Sequence, residues 1–448
     1  MAESGAALEI KLNDLRREVR QSALAALLEH VAQGEIALPA PRPIVNLHCH
    51  TSCSYNGYGY SPSYIVWQAR CQGLCMAGCV DFDVLDAVDE FLAAADALGL
   101  RACAGMETRV FVRAFETRVI NSPGEPGIAY HMGMGFTSSQ VPDTDLLTEL
   151  KTIAQDRNRA VLARVNPALG PAFIDYDRDV LPLTPYGNAT ERHLCAAYDH
   201  MARKLYPDDE ARAAFWAGKL GVELERVQAV LDNPPGLQGL IRSKTMKAGG
   251  VGYVQAAGPD FPALDRVNAL ALEAGAIPTM TWLDGLSEGE QAIEELLDVM
   301  LEAGAAAVNI IPDRNWNVAD AGLKKVKVAK LYEFVDLAQA HDLPIVVGTE
   351  MNAHGQPFVD DFDAPEMQRV TPAFLDGAYI MYAHTVLQAA AGMGYLSRWA
   401  CKHFTTAKAK NAFFRQLGET LEPTDRGRLD GLSDTMTPEG IVAKLAES

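Results

Sequence analysis

The amino-acid sequence predicts an α/β fold built on a parallel β-sheet, either open or closed into a barrel. From about residue 43 to 350, short apolar runs alternate with amphipathic segments of helical period. This alternation is typical of parallel sheets, because the crossover between two parallel strands is usually a helix. A second observation agrees with it: polar and charged residues follow the ends of successive apolar runs instead of being scattered between them.

The strands and helices of this fold can be assigned in chain order. Strands are predicted over residues 44–47, 76–80, 102–106, 128–130 with its continuation, 160–163, 277–281, 306–311 and 344–347. Helices are predicted between them over residues 61–72, 84–98, 143–157, 261–274, 289–303 and 326–341. We expect residues 41–395 to form one domain of this kind.

Three regions depart from the alternation. Residues 1–40 are charged and heptad-like, which predicts an N-terminal helical extension, and residues 396–448 resemble a helical tail. Within about 175–245, helices are predicted over 191–204, 208–220 and 223–231, and Asn233-Pro234-Pro235 is interpreted as a stop. This helical insertion is expected to lie over one side of the sheet. The glycine-rich residues 247–252 lack the strand–loop–helix context of a phosphate-binding loop and predict a flexible connection.

Composition limits the classes of partner. The 448 residues carry a formal net charge of -19, which argues against nucleic acid but permits a small anionic substrate in a locally cationic pocket. We expect no membrane partner, because no apolar stretch approaches the length of a transmembrane helix. A cytoplasmic location is predicted. The eight cysteines lack CxxC pairs and are interpreted as buried, reduced thiols. The oligomeric state is not indicated.

Candidate reactive residues follow the predicted strands in turn, except that His131 lies within the fourth. They are His48 and His50, Asp81 and Asp83, Glu107, His131, Trp282 with Asp284, Asp313 with Arg314, and finally Glu350, Asn352 and His354. Because the carboxyl ends of parallel strands meet at one edge of a sheet or barrel, we expect these side chains to share a rim.

The pair His48 and His50 is the sharpest local signal. Residues i and i+2 of a strand point to the same side, so both imidazoles can reach one metal ion. An HxH pattern alone is weak, since two histidines can also bond to backbone groups at the end of a strand.

The order of motifs resembles the PHP (polymerase and histidinol phosphatase) family. The matching segments are Asn46-Leu47-His48-Cys49-His50-Thr51-Ser52, Ser61-Pro62, Gly73-Leu74, Val80-Asp81-Phe82-Asp83, Gly105-Met106-Glu107, Tyr130-His131-Met132-Gly133, Arg192-His193 and Val347-Gly348-Thr349-Glu350-Met351-Asn352-Ala353-His354. They span roughly residues 43–360 in register. The resemblance implies a distorted (β/α)7 TIM-like barrel with a helical insertion.

The resemblance also implies a metal site and an activity. His48 and His50 would hold a first divalent ion, Glu107 would bridge it to a second bound by His131, and the closing side would come from Glu350, Asn352 or His354. Asp81 would be a ligand or a base. The implied activity is that of a metal-dependent hydrolase, a phosphoesterase acting through a metal-activated water.

Several positions differ from the family pattern. Phe82 replaces a histidine, Asn56 stands where many members have another, and Thr281-Trp282-Leu283-Asp284 replaces Ala-His-Pro. Since a phenyl ring cannot bind a metal, we expect one or two ions. Zinc, manganese and iron all suit mixed histidine and carboxylate ligands. Asp83, Asp284 or Asp313 could replace a lost ligand.

The remaining candidates concern the substrate. Arg314 could orient a phosphate or carboxylate group, or pair with Asp313. Further candidates for substrate binding are Arg164, Arg192, His193, Trp282 and Asp284. Two other functions stay open: a metal-dependent hydrolase of a C–N or C–O bond, and a degenerate barrel that binds a ligand without catalysis. Metal content separates the last from both hydrolases.

Overall fold

A seven-stranded sheet forms the centre of the computed structural model, which describes residues 3–253 and 258–446. The strands are hydrogen-bonded in chain order. They are β1 (Arg42–Asn46), β2 (Leu74–Phe82), β3 (Arg101–Phe111), β4 (Ile128–Met134), β5 (Ile277–Trp282), β6 (Ala307–Ile310) and β7 (Ile345–Val347).

The first and last strands meet beyond their carboxyl ends. The amide of Leu47 donates to the carbonyl of Val347 at 2.8 Å, and the amide of His50 donates to the carbonyl of Glu350 at 2.7 Å. Cys49 and Glu350 form a parallel bridge between the same two segments. These bonds nearly close the sheet into a seven-stranded barrel, which confirms the predicted distorted TIM-like fold.

Strand β4 runs against the expected direction. It is antiparallel to both β3 and β5, whereas all the other neighbouring strands are parallel. The chain between Phe111 and Ile128 holds only a short 3₁₀ turn, Arg113–Phe115, and no crossover helix. Without a crossover the chain returns in the opposite direction, so the expectation of a wholly parallel sheet is corrected at this strand.

The helices in the first half of the described chain are α1 (Gly5–Lys11), α2 (Arg17–Ala32), α3 (Pro62–Cys71), α4 (Val88–Leu98), α5 (Thr144–Leu169), α6 (Glu191–Leu205), α7 (Asp209–Leu220), α8 (Leu224–Gln228) and α9 (Pro234–Thr245). Those of the second half are α10 (Leu264–Glu273), α11 (Glu288–Gln291), α12 (Ile293–Glu302), α13 (Asp313–Trp316), α14 (Ala321–Ala340), α15 (Pro365–Gln368), α16 (Thr371–Ala391), α17 (Arg398–His403), α18 (Ala407–Thr420) and α19 (Pro438–Ala446). No helix in these two ranges is both long and apolar enough to cross a membrane.

Two predictions in the middle of the chain are wrong. Residues 160–163 are not a strand but part of α5, where Val161 and Val165, one helical turn apart, are buried in a second apolar core. Asn233 and the prolines after it do not stop a helix but begin α9. The side chain of Asn233 accepts a hydrogen bond from the amide of Gly236, and proline is tolerated in a first helical turn because its missing amide has no partner there.

The second core belongs to the helical insertion. Apolar side chains from the carboxyl-terminal half of α5 and from α6, α7 and α9 pack together there, separately from the barrel core. The domain boundaries predicted above stay predictions.

Candidate metal centre

Three buried side chains converge inside the barrel. The Nε2 atoms of His48 and His50 lie 3.4 Å apart. The Oε2 atom of Glu107 lies 3.1 Å from Nε2 of His50 and 3.8 Å from Nε2 of His48. Each of the three residues is at most 2% exposed. Together they form a cluster that could hold a metal ion.

Backbone bonds on both sides of the chain after β1 orient the two histidines. The amide of Glu350 donates to the carbonyl of His48, and the amide of Val80 donates to the carbonyl of Cys49. The segment is therefore extended, and alternate side chains point to opposite sides. The two imidazoles point to Glu107 of β3, while Cys49 points away and contacts Met351, with 3.8 Å between the sulfur atoms.

A hydrogen bond from β6 sets the tautomer of His48. Its Nδ1 atom lies 3.2 Å from Oδ1 of Asn309, so Nδ1 donates this hydrogen bond and Nε2 faces the cluster, where it can carry a proton or bind a metal ion. This is the usual arrangement of a metal-binding histidine, in which a neighbouring acceptor orients the ring. Asn309 was not among the predicted site residues, although a polar residue inside an apolar strand is a usable signal.

The spacing of the three atoms fits a small tetrahedral ion. Zinc–ligand bonds of about 2.0–2.2 Å place neighbouring ligand atoms roughly 3.3–3.6 Å apart. The cluster's three separations, 3.1, 3.4 and 3.8 Å, bracket that range. Nδ1 of His50, Oγ1 of Thr281 and Nδ2 of Asn309 are also buried without a hydrogen-bond partner in the described chain. The donor set of two imidazoles and one carboxylate fits a bound cation.

Electrostatics also favour a cation in the cluster. Burial opposes the charge of Glu107, but the charge of His48 and hydrogen bonds from both histidines outweigh it and lower the pKa of Glu107 to about 2. Burial likewise opposes the charge of His48, but Glu107 and then Glu350 raise the pKa of that imidazole. A buried carboxylate of this kind requires positive charge beside it, which a proton or a metal ion can supply.

Glu350 and Arg314 lie beside the cluster as a pair. Nη2 of Arg314 donates to Oε2 of Glu350 at 2.5 Å, and Nε2 of Gln356 donates to the same oxygen at 3.0 Å. Glu350 and Met351 have φ angles of 61° and 55°, a left-handed turn that aims the carboxylate. Arg314 therefore pairs with Glu350 and not with Asp313, and its predicted role as an orienting cation stays a prediction.

Asp81 is engaged elsewhere. Its carboxylate accepts hydrogen bonds from the amide and hydroxyl of Thr51, at 2.8 and 2.6 Å, and from the amide and hydroxyl of Ser54. These four bonds occupy both oxygens and hold the loop that follows His50. The structure thus assigns Asp81 a positioning contact, contrary to the expectation that it faces the cluster as ligand or base.

His131 and Trp282 are not brought to the cluster either. Nε2 of His131 lies 2.6 Å from Oδ1 of Asn268 on α10, outside the barrel, whereas the preceding Tyr130 faces inward toward Phe82. Trp282 stacks on Phe334 of α14 with ring centroids 4.7 Å apart. The expectation that His131 binds a metal, which came from the motif resemblance, is corrected to a contact with α10. The expectation for Trp282 is corrected to packing between the barrel and its outer helices.

The remaining predicted site residues lie away from the cluster and from one another. Asp284 pairs with Lys327 at 2.9 Å, and His354 is exposed and contacts the ring of Tyr58. Arg164 is exposed on α5. His193 accepts a hydrogen bond from the amide of Thr190 at 3.0 Å and caps α6. None of these joins the cluster.

A cavity of about 220 Å³ opens next to the cluster, between the barrel rim and the helical insertion. Phe82 separates the two, because its ring stacks on His50 with centroids 4.1 Å apart and also lines the cavity. Among the predicted residues, Asp83, Arg192 and Asn352 line this cavity. Four further cations were missed: they are Arg109, Arg157, Arg242 and Lys247.

Comparisons with known proteins found likeness in structure alone. No family model and no curated protein matches the chain. One similar solved structure is an amidohydrolase from Chromobacterium violaceum with bound sulfate and no metal, at 16% identity and a TM-score of 0.45, covering 74% of this chain and 96% of that one. Another, from Bifidobacterium adolescentis, is assigned as a metal-dependent phosphoesterase, at 17% identity and a TM-score of 0.42, covering 75% and 98%. The functional conclusion therefore depends on the residues of the cluster.

Proposed function

We propose that this chain is a metal-dependent hydrolase acting on a small anionic molecule, with a phosphoester as the leading substrate class. The observation that carries the proposal is the convergence of His48, His50 and Glu107. Three protein ligands around one ion leave a position for water or substrate, which is the pattern of catalytic and not of structural zinc sites. The resemblance of the motifs to phosphoesterases adds the reaction class.

A single ion is proposed. The histidine expected after Asp81 is Phe82, and His131 lies outside the barrel, so two ligands of a second ion are missing from the inner face. When bound, the ion would act as a Lewis acid and lower the pKa of a coordinated water. Zinc, manganese and iron are the candidate ions.

The chain's own residues position the reaction. Asn309 holds the ring of His48, Phe82 covers the ring of His50 and limits access of bulk water, and Arg314 carries a cationic group to the rim. In hydrolysis the water oxygen bonds to phosphorus, the bond from phosphorus to the ester oxygen breaks, and a water proton passes to the leaving oxygen. In this proposal Arg314 would orient the anionic group, since a guanidinium can pair with phosphate in a bidentate way.

Charge distribution supports an anionic substrate. The whole chain carries a net charge of -19, yet five arginine and lysine side chains and only two acids line the cavity beside the cluster. A locally positive pocket on a negative protein concentrates small anions and repels large polyanions. The cytoplasmic location and the absence of a nucleic-acid partner stay predictions.

Elemental analysis of purified protein tests the metal. We expect about one equivalent of transition metal per chain, lost in the His48→Ala/His50→Ala variant. His131→Gln is the matched control, because it changes a buried histidine outside the cluster and is expected to retain the metal. No metal in the native chain, even after incubation with zinc or manganese, would contradict the proposal and leave a barrel that binds a ligand without catalysis.

Hydrolysis of p-nitrophenyl phosphate under each metal then tests the reaction class. Phosphate release that depends on metal and is absent in the double variant supports a phosphoesterase. A metal-loaded protein that releases no phosphate from a panel of phosphoesters, but cleaves amide or carboxylic ester substrates, would instead support the hydrolase of C–N or C–O bonds.

A further inference from the structure

The cavity beside the metal cluster has an excess of positive charge that its own acids do not neutralise. Glu191 of α6 accepts from both Arg242 and Lys247, each at 2.9 Å. Two cations thus share one carboxylate. Burial opposes the charge of Glu191, but these cations outweigh it and lower its pKa to about 2.

On the barrel side of the cavity, a second carboxylate is also shared by two cations. Arg109 and Arg157 share the carboxylate of Glu125, at 3.0 and 3.1 Å. Nη1 of Arg157 is buried and has no hydrogen-bond partner in the described chain. Asp83, the other acid of the cavity wall, is hydrogen-bonded to Thr108 at 2.6 Å. The two groups of two cations around one carboxylate, at Glu191 and at Glu125, each keep one surplus positive charge. The single negative charge of Asp83 does not cancel both.

Arg192 adds a fifth cation without any counter-ion. Its guanidinium lies 5.9 Å from the ring centroid of Tyr55, and it has no ion pair with any described residue. Burial lowers the pKa of Arg192, and the charge of Arg242 lowers it further. A guanidinium that is partly buried, aimed into a cavity and unpaired is favourable only if an anion joins it, because desolvated charge is costly.

This cavity is not the place of the reacting group. His48, His50 and Glu107 do not line it, and the ring of Phe82 stands between it and His50. A phosphate-like group in the cavity is therefore separated from the cluster by at least the thickness of an aromatic ring. Phe82 borders both spaces, so a single extended molecule could reach from one to the other past its edge.

We propose that the cavity binds a second phosphate-like group of the same substrate, which is thus a small molecule with anionic groups at two separated positions. The position of the first group rests on the function proposed above. The cations of the helical insertion, Arg192 and Arg242 with Lys247, and those of the barrel side, Arg109 and Arg157, surround the second group from two sides. The insertion thereby selects the substrate, and the cluster cleaves it.

Binding of inorganic phosphate by calorimetry tests the site without the metal. The full-length His48→Ala/His50→Ala variant is expected to bind phosphate saturably, with an affinity close to that of the metal-free native chain. Arg192→Gln in this background is expected to weaken binding about ten-fold or more, because a charge-assisted contact is lost. Arg164→Gln, an exposed arginine on α5 outside the cavity, is the matched control and should leave affinity unchanged.

A second measurement tests whether both groups belong to one molecule. Non-hydrolysable alkane bisphosphonates of increasing chain length are compared with the corresponding alkyl monophosphonates on the metal-loaded native chain. We expect one chain length to bind much more tightly than the monophosphonate, and this gain to disappear in both Arg192→Gln and His48→Ala/His50→Ala.

The outcomes separate this inference from the proposed function. Phosphate binding that depends on Arg192 in the double variant supports the anion site even where the native chain holds no metal. Phosphate binding that is absent, or insensitive to Arg192→Gln, would overturn the inference while leaving the metal proposal intact. Tight phosphate binding with no gain for any bisphosphonate would also overturn it, since the cavity would then bind an independent anion.

Discussion

Replacing Asn309 by leucine is the sharpest test of the metal cluster. The substitution keeps the shape of the side chain but removes the amide oxygen that lies 3.2 Å from Nδ1 of His48. His48 is completely buried, so water cannot replace the lost acceptor. The three candidate ligands are not themselves changed, and any loss of metal affinity must therefore act through the orientation and tautomer of His48.

The expected loss of metal affinity depends on whether the unpaired Nδ1 donor of His48 occurs in the metal-bound or in the metal-free state. With metal bound to Nε2, Nδ1 must carry a proton, which then has no acceptor; a buried unsatisfied donor costs about 1–3 kcal/mol. Without metal, the ring can carry its proton on Nε2, which lies 3.8 Å from Oε2 of Glu107, and leave Nδ1 unprotonated. The cost falls mainly on the metal-bound state, which predicts about 5- to 150-fold weaker binding. Loss of a contact that orients a metal ligand typically lowers metal affinity 10- to 100-fold, which agrees with this range.

The assay is a titration of metal-free protein with zinc in competition with a fluorescent chelator. Asn268→Leu is the matched control, because Oδ1 of Asn268 lies 2.6 Å from Nε2 of another buried histidine, His131. We expect Asn268→Leu to retain native zinc affinity although it also loses a buried amide. Thermal unfolding of both variants shows whether each remains folded.

Two results would refute this reasoning. Native zinc affinity in Asn309→Leu would mean that His48 is not an oriented ligand. Weaker binding in Asn268→Leu, with native affinity in Asn309→Leu, would place the metal at His131 and return the site to the one expected from the sequence.

Three further predictions concern access, acid stability and packing. Phe82→Ala uncovers the imidazole on which the ring stacks, so extraction of metal by a chelator should be faster than from the native chain. Burial outweighs a backbone hydrogen bond and lowers the pKa of His384 to about 4, below its usual value of about 6.5. Between these pH values only the unfolded chain binds this proton, so stability falls as pH drops, and His384→Gln should reduce the slope of unfolding free energy by up to about 1.4 kcal/mol per pH unit. Gly377→Ala should destabilise by more than about 1 kcal/mol, because its Cβ would lie 2.0 Å from a carbonyl of β7. Gly239→Ala, a helical glycine facing open space, should instead stabilise by about 0.5–1 kcal/mol.

Each of these predictions has an opposing outcome. Unchanged extraction kinetics in Phe82→Ala would show that this ring does not limit access to the cluster. An identical acid slope in native and His384→Gln protein, measured by urea unfolding at several pH values, would show that His384 already titrates normally in the fold. Equal effects of the two glycine substitutions on the unfolding midpoint would contradict the close approach of α16 to β7.

The sequence predicted those parts of the fold and site that depend on local periodicity. Seven of the eight predicted strands occur in the barrel, and the HxH spacing placed His48 and His50 on one side of an extended segment. The failed strand over residues 160–163 shows the limit of this approach. A four-residue apolar run has the same composition in a buried strand and on the buried side of a helix, and only the neighbours of α5 select the helix.

Strand direction was beyond local reasoning. Nothing in the residues of β4 distinguishes a parallel from an antiparallel neighbour, and reversing the strand changes what each side chain meets. His131 was assigned to the metal because its segment resembles a family motif, whereas in the structure it contacts Asn268 on α10. Asp81 shows a related limit, because its position after β2 was correct but its partners, Thr51 and Ser54, come from another loop.

By itself the sequence determined the α/β class, the strands and the His48-x-His50 pair, because side-chain periodicity and residue type are properties of neighbouring residues. Only the tertiary structure decided that Asn309 orients His48, that Phe82 covers the cluster, and that cations between Arg109 and Lys247 in the chain surround one cavity. These contacts join residues tens to hundreds of positions apart. Their energies depend on distance and burial, which exist only once the barrel and its helical insertion have folded together.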